Sequence, residues 1–158
     1  MNYDYQELRS EMIMLSNTLN MMGGSRELNL SKTALETATM WAGTYLRKAG
    51  SPDPYDPAKR EDGKIQPRFD TNTATLSAEL LGTSSLQQTD AVRKVMAEML
   101  EGFHAAQVDM DSVQEREKNL TPLELMETSM CLLNIYTRLS EARMWLGMEL
   151  GRIRDITS

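Results

Sequence analysis

This 158-residue sequence has one cysteine, one histidine, two phenylalanines, two tryptophans and only five prolines. A lone Cys131 closes no intramolecular disulfide, and one cysteine with one histidine falls short of the four ligands of a structural zinc site. Disulfide scaffolds and zinc modules are therefore excluded. No apolar run reaches the roughly 18 residues of a membrane-crossing helix, and the Met1 to Ser10 stretch lacks the basic start and apolar centre of a signal peptide. The expectation is a chain in a cytoplasm with no membrane partner. Positive charge is also scarce: 17 basic against 23 acidic side chains give a formal net charge of -6. That balance opposes broad contact with duplex nucleic acid, yet a small anion needs only a few local cations. What is present is 41% hydrophobic residues, among them 13 methionines, with 25% charged residues, the composition of a folded chain with one modest core or two very small ones.

Apolar spacing predicts a mainly α fold. Leu8, Met12, Leu15 and Leu19 recur at helical steps from Tyr5 to Met22, and Gly23 and Gly24 end that helix. Ser25 is a candidate N-cap for a second helix that carries Leu28, Leu35, Ala38, Ala42 and Tyr45 on one face to about Lys48. So short a link makes the pair an antiparallel hairpin. Pro52, Pro54, Pro57 and Pro67 then interrupt regular structure, and the loop they stiffen is long enough to be functional. A third helix is predicted from about Leu86 to Ala106, then a charged connection over Asp109 to Asn119 with partial helical character. A long fourth helix, with Thr121 as N-cap, Pro122 at its first position and Glu124 completing a capping box, runs to about Arg154. The organisation is a first hairpin over 1–50, a Pro-rich ordered connector over 51–84 and a second hairpin over 85–158.

The chain also repeats itself. Thr33 to Leu46 aligns without a gap on Thr137 to Leu150, with identity at seven of fourteen positions including both tryptophans. Arg9, Met12 and Leu19 correspond more loosely to Arg93, Met96 and Phe103. The repeated Met-Trp-x-Gly reads first as packing, and glycines Gly43 and Gly147 in mid-helix, where glycine costs about 1 kcal/mol relative to alanine, imply close approach of another backbone or of a ligand.

No catalytic set assembles. His104 has no second histidine, cysteine or nucleophile to work with, and the apolar neighbours of Cys131 raise its thiol pKa and make it inert. The Met22-Gly-Gly-Ser25 turn lacks the spacing and lysine of a phosphate loop. Asp109, Asp111, Glu115 and Glu117 read as a solvated charge run. The chain is expected not to be an enzyme and to need no cofactor. Binding groups are easier to find. Arg26, Thr33, Thr37, Met40 and Thr44 form a second stripe beside the apolar one, near a helix start that favours anions. Lys32, Arg47 and Lys48 add charge, and the connector brings Tyr55, Lys64, Arg68 and Asp70. The alternative for this stripe is a solvated polar face opposite a core.

Ser25-Arg-Glu-Leu-Asn-Leu-Ser-Lys-Thr-Ala-Leu-Glu-Thr-Ala-Thr-Met-Trp-Ala-Gly43, followed by Pro52-Asp-Pro-Tyr-Asp-Pro57 and Ile65-Gln-Pro-Arg-Phe-Asp70, resembles the helical-hairpin domain of phage anti-CBASS and anti-Thoeris proteins. Glu141 to Leu150 looks like a second copy of its signature helix. The resemblance implies a sponge that sequesters, without cleaving, cyclic oligonucleotides or cyclic ADP-ribose isomers made by bacterial immune systems, in the host bacterial cytoplasm. It implies hairpins interlocked in a homo-oligomer, here a trimer of tandem chains in place of six single hairpins. The expected ligand contacts are Arg26, Lys32, Thr33, Tyr45, Tyr55, Arg68 and Asp70, with Thr137 and Arg138 in the second copy. Met130 stands in the second copy where Arg26 stands in the first, so one hairpin is expected to bind while the other assembles. The competing reading is a structural or protein-binding helical module whose Met-rich faces serve a partner.

Overall fold

The computed structural model describes residues 3–49 and 84–157. The Pro-rich connector, with Tyr55, Arg68 and Asp70, lies outside the described residues. The described residues are mainly α: α1 (Tyr5–Asn20), α2 (Arg26–Lys48), α3 (Ser85–Val108), α4 (Met110–Glu117) and α5 (Pro122–Thr157). The charged connection expected over Asp109 to Asn119 is largely helical: Asp109 stands at the start of α4, where its carbonyl accepts from the Val113 amide at 3.0 Å and its carboxylate from the Ser112 hydroxyl at 2.7 Å.

Each long helix begins at a side-chain cap. Asp4 accepts from the Gln6 and Glu7 amides before α1, and Ser25 accepts from the Leu28 amide before α2. Ser84 and Gln87 form a reciprocal capping box at α3. Thr121 accepts from the Glu124 amide at 3.2 Å at the start of α5, while its hydroxyl bonds the Glu124 carboxylate at 3.0 Å. Such caps are worth about 1 kcal/mol each. Gly23, at φ +107°, supplies the left-handed residue that turns the chain between α1 and α2.

The bundle is built on α2 against α5, with α1 on α2, α3 on α5 and α1 touching α3. The α2–α5 pair is antiparallel: Ser25 meets Glu149, Ser31 donates to the Ala142 carbonyl at 2.8 Å, and Lys48 meets Glu127. As α2 advances, its partners on α5 retreat in step. The centre of this register falls on Leu35 and Leu139, both fully buried, which are the same position in the two copies of the repeat. The seam therefore has an approximate two-fold axis that exchanges the repeats. Ala38 and Ala142, likewise equivalent, are also fully buried. Tyr5 packs on Tyr45 at 4.7 Å between ring centroids, and Phe103 on Tyr136 at 6.2 Å, so the outer helices also run antiparallel to their neighbours.

A single apolar cluster draws on both halves, with Leu15, Leu19, Leu35 and Leu46 from one and Val92, Met96, Met99, Ile135 and Leu146 from the other. Fully burying a side chain of this size contributes about 1.5–3 kcal/mol. Cys131 sits in the same cluster, and burial pushes its thiol up despite the opposing field of Lys48.

Because the two hairpins share this core, Leu139→Ala is expected to destabilise both by about 2–5 kcal/mol. Chemical denaturation followed separately through Trp41 and Trp145, in Trp145→Phe and Trp41→Phe backgrounds, checks this. The two probes are expected to shift together, and a shift confined to the α5 probe contradicts a shared core.

Candidate functional site

The two-fold seam sorts the repeated residues into buried and open sets. Leu35/Leu139, Ala38/Ala142 and Leu46/Leu150 point inward, whereas Thr33/Thr137 and Met40/Met144 are exposed. Trp41 and Trp145 are half-buried between the two sets. The outer face of the seam thus carries threonines near its centre and a Met-Trp pair on either side. Arg26, Thr33 and Thr137 are all exposed on these two helices.

Arg26 is the most exposed of the expected cations among the described residues. Its guanidinium carbon lies 5.4 Å from the centroid of the Trp145 ring, and Glu27 approaches it only at 4.0 Å. A cation over an indole in this position is worth about 0.5–2 kcal/mol. The Trp145 indole N–H is buried and has no acceptor, an unmet donor beside a cation. The pair joins the start of α2 to the second copy of the repeat on α5. At the equivalent place in the other copy stands Met130, which is exposed and uncharged.

The remaining expected contacts divide. Lys32 pairs with Glu36 at 3.7 Å and Arg138 with Glu141 at 2.8 Å, each one turn along its own helix, so both cations are already partly neutralised. Thr33 is exposed, but its hydroxyl donates to the Asn29 carbonyl at 3.0 Å, and Thr37 and Thr44 donate likewise to Thr33 and Met40. The hydroxyl row expected to donate to an anion thus spends its protons on the helix backbone and presents methyl groups and lone pairs outward. Tyr45 is a core residue. Only 3% exposed and packed on Tyr5, it offers a ligand no open face in this chain. Tyr55, Arg68 and Asp70 fall outside the described residues.

The close approach inferred at Gly147 is made by a side chain. A Cβ built there would sit 3.4 Å from Arg93 Nε, an ordinary contact that leaves room for alanine.

One polar cluster had no counterpart in the sequence reading. Glu149 is 1% exposed. It accepts from the Ser25 hydroxyl at 2.5 Å and pairs with Arg152, whose guanidinium also approaches Glu27 at 3.6 Å. Ser25 therefore uses its hydroxyl twice, accepting from the α2 amide and donating across the seam. The repeat contained a signal for this, since Glu149 occupies the position held by Tyr45 in the first copy, and a carboxylate at a core position demands partners. Among the described residues no group of three or more histidines, cysteines or acidic residues is placed to hold a metal ion, and no helix is long and apolar enough to cross a membrane. No family model, curated protein or solved structure matches the chain.

The placement of Tyr45 has a consequence at high pH. Burial raises the Tyr45 phenol well above its ordinary value of 10, and it also raises Tyr5, where Arg116 and Gln107 partly offset it. Both groups keep their protons in the folded chain at pH values where the unfolded chain loses them. Stability is thus intact below about pH 10 and falls above it, by about 1.4 kcal/mol per pH unit for each such group. Denaturant midpoints measured from pH 8 to 11 are expected to decline above pH 10 and to decline less steeply in Tyr45→Phe.

Proposed function

We propose that this chain is a binding protein without catalytic activity that captures a small anionic ligand of the cyclic nucleotide or cyclic ADP-ribose type, as an anti-defence sponge in a bacterial cytoplasm. The observation that carries the reading is the Arg26–Trp145 pair. A guanidinium lies over an indole whose own N–H lacks an acceptor, on an open face shared by the two repeats. An aromatic ring and a charge-assisted donor are what a base and a phosphate require. Thr137 adds a hydroxyl on the same face. Arg68 joins this set through the resemblance of the connector. Assembly of several chains, three in the simplest count, would bring such faces together and complete pockets between protomers.

A second reading, a protein-binding module, is favoured by one feature of α5. Leu123, Met126, Met130 and Leu133 follow at steps of three, four and three, and all are more than half exposed. Such a stripe also suits a helical partner, because methionine side chains adapt to several shapes.

The readings separate when the purified chain is incubated with cyclic dinucleotides, cyclic trinucleotides and cyclisation products of ADP-ribose. Depletion of one ligand, recovered intact after heat denaturation of the protein, is the expected result. Recovery of a degraded product contradicts the non-catalytic reading, and no depletion of any ligand favours the protein-binding one. Arg26→Gln combined with Arg68→Gln is expected to reduce uptake at least tenfold with the circular dichroism unchanged.

A further inference from the structure

The outward side of the α3–α5 pair holds a groove that the two-fold seam does not explain. Tyr136, 40% exposed, stacks on the buried Phe103 and lies 6.4 Å from His104, ring centroid to centroid. On one side of the His104–Tyr136 pair is a cleft of about 360 Å³, lined also by Glu101, Ser140 and Arg143. That volume falls within the range of about 300–1,000 Å³ usual for small-molecule sites.

Two features set this cleft apart from an ordinary helix surface. Arg143 Nε is buried with no acceptor, and its guanidinium has no ion-pair partner among the described residues. Glu101 lines the same cleft and is likewise unpaired, so opposite charges face one space without meeting. Gly147, one turn along α5 from Arg143, has the Arg93 guanidinium against it, and Arg93 Nε is also buried without an acceptor. Two guanidiniums, Arg143 in the cleft and Arg93 beyond it against Gly147, thus each bury an Nε donor without an acceptor, which makes that end of the groove anion-seeking. Across the ring pair the situation is reversed, since Arg116 is already held by Gln107 and Glu117.

We infer that this cleft is a binding site for a nucleoside 5′-monophosphate or a ligand built on the same plan of flat ring, vicinal diol and terminal anion. The ring stacks on Tyr136 and His104, and the phosphate takes the donors of Arg143. Glu101 accepts from the diol with Ser140 beside it. A carboxylate paired with a ribose diol is a recurrent mode of nucleotide recognition, and it gives Glu101 a role that repulsion from a bare anion would not. The inference does not rest on the Arg26–Trp145 reading, because the groove lies on the α3–α5 side and uses none of its residues.

The chain's single histidine makes the test direct, because the His104 Cε1–H signal in a ¹³C-labelled protein has no rival. Titration of the full chain with AMP is expected to move this signal saturably, while inorganic phosphate at the same concentrations leaves it in place. Arg143→Gln is expected to weaken AMP binding at least tenfold. Glu101→Gln, or a 2′,3′-dideoxy analogue of AMP, is expected to weaken it several-fold. Lys94→Gln, which removes an exposed cation elsewhere on α3, is expected to change nothing. A His104 signal unmoved by AMP, or AMP affinity unchanged in Arg143→Gln, overturns the inference whether or not cyclic ligands are captured elsewhere.

Discussion

Everything in this fold hangs on the antiparallel contact of α2 with α5. Each hairpin alone has an apolar stripe wider than its partner helix can cover, and the two stripes close only on each other. The repeat explains why they fit. When two copies of one helix pack antiparallel about Leu35 and Leu139, each residue faces the counterpart of the one equally far on the other side of that centre, so the same contacts recur on both sides. Ala38 and Ala142 let the backbones approach on either side of Leu35 and Leu139, all four fully buried. The Ser31 hydroxyl reaches the Ala142 carbonyl there, a bond that only a close approach permits. At one end the contact is fastened by the Ser25–Glu149–Arg152 cluster and at the other by Lys48 with Glu127. In the first of these the Glu149 carboxylate is buried and costly to leave without its partners, while Arg152 reaches it from solvent; the second is exposed and contributes little.

The same symmetry decides what faces outward. A pair of repeats that buries its leucines and alanines must present its threonines and methionines on the far side. The outer face is therefore near-symmetric in shape but not in charge. Arg26 stands near one end and Met130 at the equivalent place near the other, so the charge is not shared between the two ends. The groove between α3 and α5 is different in origin. The second half has diverged from the first, with Phe103 on α3 where Leu19 stands on α1 and Tyr136 on α5 where Lys32 stands on α2, and that divergence supplied the ring platform.

Much of this was legible in the residues. The helix starts followed from Ser25, Thr121 and Pro122, because capping is local chemistry, and the turn followed from Gly23, which takes the positive φ that other residues avoid. The core followed from spacing, since Leu8, Met12, Leu15 and Leu19 lie on one stripe and are all buried. Three things were not legible, for a common reason. The back-bonding of Thr33, Thr37 and Thr44, the burial of Tyr45 and the emptiness around Arg143 depend on which side chain another helix brings near. Tyr45 fits the apolar stripe as core and the resemblance as a ligand contact, and only Tyr5 on the neighbouring helix decides between them. Spacing along one helix defines a face, but only the second helix determines whether that face is closed.

The most direct test is a methyl nuclear Overhauser experiment on a single chain with labelled leucine, alanine and isoleucine side chains, with mixed-label samples to separate contacts within a chain from those between chains. The fold described here predicts intrachain cross-peaks linking Leu35 with Leu139 and Ala38 with Ile135. Absence of both, or cross-peaks seen only between chains, would contradict a bundle in which the two repeats of one chain complete each other's core.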